Sequence, residues 1–99
     1  MQHTHEELCA ILNEQTGKLT WPELEKHFAR GVVIKVAAEL DLIEVAAAVV
    51  KDDKEAMAHW KKSSQVDLAN EEDARDWHQR QPAFWAVVVA PWVLIQEKT

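Results

Sequence analysis

Residues 83–96, AFWAVVVAPWVLIQ, lie within the longest uncharged stretch of the chain, and their apolar positions do not alternate with polar ones. Valine and aromatic residues dominate it, and these residue types favour strands. Pro91 would interrupt a helix, because its ring removes a donor and clashes with the preceding turn. A hairpin at Ala90-Pro91 is also disfavoured, because two-residue hairpin loops favour Gly, Asn or Asp. The pattern predicts one long strand over 84–96, kinked at Pro91 and covered on both faces.

Upstream of this stretch, helix starts are indicated by a capping residue followed three positions later by an acidic side chain. The pairs are Thr4/Glu7, Thr20/Glu23, Asp41/Glu44, Asp52/Glu55 and Asn70/Asp73. Each precedes a segment with helical spacing, so five helices are predicted. The pattern leaves open whether the third and fourth, 41–51 and 53–62, are continuous. The fifth, 70–81, is poor in apolar residues and is predicted to lie on the surface, held by Trp77.

A short β-branched run, VVIKV at 32–36, predicts a strand and is the expected partner of the C-terminal strand. Strand direction stays open. These elements predict an α+β fold with about five helices packed on a small sheet formed by 32–36 and a long kinked strand 84–96, in a single domain over residues 1–99.

Two strands make too little sheet to stand alone. Helices are expected to cover one face of the final strand, and a second copy of the chain to close its other face and one edge. The expected assembly is a symmetric homodimer, the commonest form of soluble oligomer. Trp85 and Trp92 are the expected interface residues, because aromatic side chains concentrate at the centres of buried contacts.

Charge and composition restrict the classes of function. A formal charge of -6 argues against nucleic acid, because phosphate binding needs a basic face. No apolar run approaches the roughly 20 residues of a membrane span. The N-terminus lacks the basic start and apolar centre of a secretory signal. We therefore expect a cytoplasmic protein with no membrane association. Cys9 has no partner for a disulfide and is interpreted as a small core hydrophobe, with its accessibility left open.

Several pairs of side chains have the spacing of metal ligands. They are His3/His5, Glu23/His27 and Glu55/His59. Such pairs can project to one side of the backbone. A zinc site, however, takes three or four protein ligands. We interpret the pairs as solvent-facing neighbours and expect neither a metal nor a cofactor.

Lys35 lies within the apolar run 32–36 and must reach solvent or a partner. Glu39, Asp41 and Glu44 follow and offer the counter-charge. One interpretation is an edge-strand lysine that discourages aggregation. The other is a functional lysine with a lowered pKa.

The segment 73–80, DARDWHQR, is the richest in functional groups. Asp76 and His78 have the chemistry of an acid–base pair or an anion-binding group. The competing interpretation is an exposed helix whose charges neutralise one another. A ligand site, if the chain has one, is predicted near Lys35, Glu44, Asp76 and His78; no catalytic residue is assigned.

Two stretches resemble a known family. They are LTWPELEKHFARGVVIKVAAELDLIEVAAAVVKDD at 19–53 and EDARDWHQRQPAFWAVVVAPWVLIQE at 72–97, with Trp60 between them. Together they resemble a bacterial family designated domain of unknown function 2288, and the closing segment is the most specific part. The resemblance implies a small bacterial protein without an assigned activity and supplies no catalytic residues.

The expected function is therefore a non-enzymatic, self-associating interaction module, with an unidentified protein as a further partner. The alternative is a small-ligand-binding protein or minor enzyme built on the four residues of the predicted ligand site.

Overall fold

The computed structural model describes residues 4–98, so His3 lies outside the described residues. The helices in this part of the chain are α1 (His5–Gln15), α2 (Trp21–Ala29), α3 (Leu42–Val50), α4 (Lys54–Lys62) and α5 (Glu71–Arg80). The strands are β1 (Gly17–Thr20), β2 (Val33–Val36), β3 (Val66–Leu68), β4 (Ala83–Val89) and β5 (Trp92–Glu97). They form one sheet in the order β1-β4-β5-β2-β3. The predicted α+β fold with five helices is confirmed.

The sheet is mixed. Its β2 strand pairs with β5 in parallel, with Val33 opposite Val93, whereas the other neighbouring strands pair antiparallel. The predicted partnership between 32–36 and the C-terminal segment is therefore confirmed. The prediction missed β1 and β3. Each is only three or four residues long and partly exposed, so neither shows a detectable hydrophobic period.

Local capping positions the helices. Thr4 Oγ1 accepts a hydrogen bond from Glu7 N at 3.1 Å, and Asn70 Oδ1 accepts one from Asp73 N at 2.9 Å. The fourth helix begins one residue later than predicted, because Asp53 rather than Asp52 accepts from its first turn. Asp52 itself has a φ of 54°, which interrupts the helical path. The segments 41–51 and 53–62 are therefore separate helices.

The prediction of one long strand over 84–96 is wrong. The segment forms a hairpin in which β4 and β5 pair antiparallel, with Val89 opposite Trp92. The chain reverses at Ala90-Pro91, which has a cis peptide bond, and neither residue has a positive φ. The prediction considered turns that require Gly, Asn or Asp. A turn with cis-proline at its third position does not require them.

Helices of the same chain cover both faces of the hairpin. On one face, Leu12 of α1 and Val45 of α3 pack with Val87 and Leu94, and Met57 of α4 adds to the edge of this core. We call this the α1/α3/α4 face. The expectation that a second copy must close the other face is wrong. Apolar stripes show that a helix is buried, but not on which side of the sheet it packs.

The opposite side, which we call the α2/α5 face, is an aromatic core. Trp21 of α2 and Trp77 of α5 pack with Phe84 of β4. The Trp21 and Trp77 rings are 5.8 Å apart, and the Trp77 and Phe84 rings meet edge to face at 5.1 Å. Trp77 is the buried residue of α5, as predicted. Within residues 4–98, none of the helices combines the length and hydropathy needed to cross a bilayer.

Candidate functional site

A polar cleft of about 300 Å³ opens on the α2/α5 face, between β2, α5 and the end of β5. Trp77 and Phe84 are among its lining residues, so one wall is aromatic. Lys35 enters from β2 and Asp76 from α5. The structure therefore brings together two of the four residues of the predicted ligand site.

The charged side chains of this cleft are paired with one another, and three carboxylates face two cations. Lys35 Nζ lies 2.7 Å from Asp73 Oδ2. Arg80 donates through Nε and Nη2 to both carboxylate oxygens of Asp76, at 2.7 and 2.5 Å, and through Nη2 to Glu97 at 2.5 Å. The hydrogen bonds from Arg80 hold the pKa of Asp76 below its ordinary value, and the two carboxylates raise the pKa of Arg80. These ion pairs connect α5 to strands β2 and β5 of the sheet.

The other two residues of the predicted ligand site lie elsewhere. His78 is exposed on α5 and does not line the cleft. Glu44 lies in the first turn of α3, on the α1/α3/α4 face. The four side chains therefore do not converge on one site, because the sheet separates Glu44 from the cleft.

Glu44 instead belongs to a cluster with two residues of α1. The Nε2 atom of His5 lies 3.0 and 3.1 Å from the Glu44 carboxylate oxygens, and Cys9 Sγ lies 3.5 Å from His5 Nε2. Cys9 is partly exposed, and its side chain packs against the core of the α1/α3/α4 face. Burial, followed by the charge of Glu44, raises the pKa of its thiol. Sequence reasoning missed this cluster, because His5 and Glu44 are 39 positions apart.

The two predicted interface residues lie at different places on the hairpin. The side chain of Trp85 is 36% exposed, and the Nζ atoms of Lys18 and Lys98 lie 5.5 and 5.1 Å from its ring centroid. The pKa of Lys98 is lowered by its contact with Lys18. Trp92 is partly buried and lines an apolar groove of about 270 Å³ between α4 and β3.

The edges of the sheet differ in how they are protected. On the outer side of β3, the Asp67 carboxylate accepts the Leu68 N–H at 2.8 Å. On the opposite side, β1 pairs only with residues 83–86 of β4. Residues 87–89 extend beyond it, and Val88 is 57% exposed.

These features define an α+β fold whose mixed sheet lies between two helical layers. The chain belongs to the family described as protein of unknown function DUF2288, whose profile matches residues 7–97. The resemblance identified from the sequence is thereby confirmed. A similar solved structure is the NMR solution structure of PA1075 from Pseudomonas aeruginosa, with 43% sequence identity and a TM-score of 0.83. The alignment covers 100% of this chain and 94% of that chain. No curated protein matches.

Proposed function

We propose that this protein is a non-enzymatic interaction module that associates with a second copy of itself through the outer edge of β4. The observation that carries the proposal is the extension of residues 87–89 past the end of β1, which pairs only with 83–86. An unpaired strand edge is a template for pairing with another chain.

The backbone of Val88 supports pairing at this edge. Lys98 N donates to Ala83 O at 2.9 Å, so Ala83 directs its backbone groups toward the β5 side. In an antiparallel ladder this direction alternates along the strand. Val88 is five positions further along, so its N–H and C=O point outward. Its exposed, β-branched side chain favours an added strand.

The other edges carry the features that discourage strand addition. Asp67 places a carboxylate on the outer side of β3, where it occupies the Leu68 N–H. The short edge strand β1 presents the exposed Lys18. Charged residues of this kind protect edge strands from pairing. Residues 87–89, Val-Val-Val, carry no charge, which supports them as the site of association.

A two-fold axis beside Val88 would place the two copies of 87–89 antiparallel, with Val87 of one copy opposite Val89 of the other. Trp92 lies opposite Val89 within each hairpin, but its side chain lines the groove between α4 and β3, away from the proposed contact. The contact is short, and we expect a weak, reversible dimer. Trp85 lies nearer the other end of β4, and its exposed ring supports contact with an unidentified partner instead.

Sedimentation equilibrium between about 10 µM and about 1 mM tests the proposal, since this range covers weak association. The wild-type mass should rise from one chain toward two. Val88→Lys should remain a single chain, because the charge would lie in the paired edge. Val50→Lys is the matched control, since Val50 is 46% exposed on α3. A single-chain mass at every concentration, or unchanged association of Val88→Lys, would refute the proposal.

A second candidate function is ligand binding in the polar cleft. It is favoured because Lys35 and Asp76 line this cleft together with the aromatic side chains of Trp77 and Phe84. Three carboxylates there face two cations, so a ligand with an ammonium or guanidinium group is the complementary class. Titration with agmatine, followed by amide chemical shifts of residues 35–38, provides the test. Asp76→Asn should weaken binding, whereas Glu72→Gln on the exposed side of α5 should not. Unchanged shifts would exclude this candidate.

We further infer a bacterial protein of the cytoplasm that folds as one domain. The similarity to a Pseudomonas aeruginosa protein supports the bacterial source. The free thiol of Cys9 is typical of a reducing compartment. The single sheet with a core on each face supports one cooperative unfolding transition, which calorimetry would detect.

A further inference from the structure

The contact between α1 and α3 brings three different metal-ligating side chains together. His5 and Cys9 are four residues apart on α1, so both project from the same side of that helix. Glu44 reaches them from the first turn of α3. One ligand atom from each residue lies within 4.8 Å of the other two. We propose that His5, Cys9 and Glu44 bind a divalent transition-metal ion, with zinc as the preferred metal.

The separations of these atoms match the edges of a zinc coordination tetrahedron. Typical zinc bond lengths and the tetrahedral angle give about 3.6 Å between sulfur and nitrogen, about 3.3 Å between nitrogen and oxygen, and about 3.5 Å between sulfur and oxygen. The corresponding distances are 3.5 Å from Cys9 Sγ to His5 Nε2, 3.0 to 3.1 Å from His5 Nε2 to Glu44, and 3.9 Å from Cys9 Sγ to Glu44 Oε1. Shifts of a few tenths of an ångström would complete the geometry.

The donor set itself selects the class of metal. A thiolate with an imidazole favours zinc and other first-row transition metals over magnesium and calcium, which prefer oxygen ligands. Three protein ligands leave a fourth position. His5 and Glu44 are exposed, so that position faces solvent and can accept water or an external ligand. The proposed site lies away from the outer edge of β4 and is independent of self-association.

The same cluster also has a metal-free arrangement that competes with the ion. Lys51 Nζ lies 2.6 Å from His5 Nδ1. If this ammonium donates to Nδ1, the imidazole carries its proton on Nε2 and shares it with Glu44. A metal on Nε2 requires the proton on Nδ1, so Lys51 must turn away. Lys51 is exposed, and its long side chain has room to do so.

Cobalt titration of the full chain, under reducing conditions, tests the site directly. One equivalent of Co²⁺ should produce a thiolate-to-cobalt charge-transfer band and the strong visible bands of tetrahedral coordination. Competition with Zn²⁺ should remove both. Loss of an outer partner alone weakens metal sites about 10–100-fold, so Cys9→Ser should weaken binding by about 100-fold or more. Glu44→Gln should also weaken it. His27→Ala on α2 is the control and should bind normally.

The variant Lys51→Met distinguishes a metal-binding site from a cluster that is held together by hydrogen bonds alone. If the metal competes with Lys51 for the imidazole, this variant should bind cobalt more tightly than wild type. Circular dichroism of each variant establishes that the fold is retained. Two results would overturn the proposal: absence of the charge-transfer band in wild type, or zinc affinity that is unchanged in Cys9→Ser. The second result would indicate adventitious binding to surface histidines.

Discussion

Lys35 Nζ lies 2.7 Å from Asp73 Oδ2, and this ion pair joins β2 to α5 across the polar cleft. The strand β2 lies between β5 and β3, so interpreting Lys35 as a protective edge-strand lysine is wrong. Its counter-charge comes from Asp73 rather than from the acidic residues that follow it at 39–44. The side chain of Lys35 is partly exposed and lines the cleft, where it forms an ion pair with Asp73 of α5.

We predict weak coupling between Lys35 and Asp73 in a double-mutant cycle of Lys35→Met and Asp73→Asn. The side chains are 36% and 21% exposed, so solvent screens the pair and the coupling energy should be about 0.5–1 kcal/mol. Urea denaturation measures it. The control is the pair Lys54/Asp52, whose charged atoms are 4.0 Å apart. Its side chains are 85% and 81% exposed, so this pair should show almost no coupling. Equal coupling in the two cycles would contradict the prediction.

Asp67→Ala should increase association of the protein. The Asp67 carboxylate occupies the Leu68 N–H on the outer side of β3, and its removal frees a donor beside an exposed leucine. Static light scattering over a concentration series is the measurement. Glu25→Ala removes the same charge from the exposed side of α2 and should leave the mass unchanged. If both variants behave alike, the effect is one of net charge and the local explanation is wrong.

Arg80→Gln should return the pKa of Asp76 toward its ordinary value, because the hydrogen bond from Arg80 is the largest cause of its depression. A carboxyl whose pKa is lowered by folding stabilises the protein above the ordinary aspartate pKa of about 3.9. That contribution is lost as the pH falls through the lowered value. Carboxyl carbon chemical shifts during an acid titration measure the pKa. His78→Gln, on the same helix, should leave it depressed; an unchanged pKa in Arg80→Gln would exclude this cause.

Gln96→Leu should destabilise the fold. The Nε2 atom of Gln96 donates to Ala37 O at 2.8 Å and to Leu40 O at 2.7 Å, which ties the segment before α3 to β5. Ala37 O keeps the hydrogen bond from Leu40 N at 3.1 Å, whereas Leu40 O loses the donor from Gln96. Leaving this partly buried carbonyl without that donor should lower the free energy of unfolding by about 1–3 kcal/mol. Gln79→Leu, at an exposed position of α5, is the control for thermal denaturation. Equal melting temperatures of the two variants would rule out a structural role for the Gln96 contacts.

Local chemistry explains which features were predictable. The cap at Asn70 and the strand at Val33–Val36 were recognised from the sequence, because capping and β-branched runs act over a few neighbouring residues. The hairpin was missed, because its turn at Ala90-Pro91 does not use the residues that typical hairpin turns require. For the candidate site, the sequence identified Lys35 and Asp76 but grouped them with Glu44 and His78, which the fold places elsewhere.

The sequence by itself determined, to within one residue, where the helices begin, and that the C-terminal segment is buried, because capping and hydrophobic burial depend on residue type and spacing. Only the tertiary structure decided which face of the sheet each helix covers. It also decided that His5 meets Glu44 and that Val88 is left at an open edge. Those relationships join residues far apart in the chain, and they arise only when the strands take their order in the sheet.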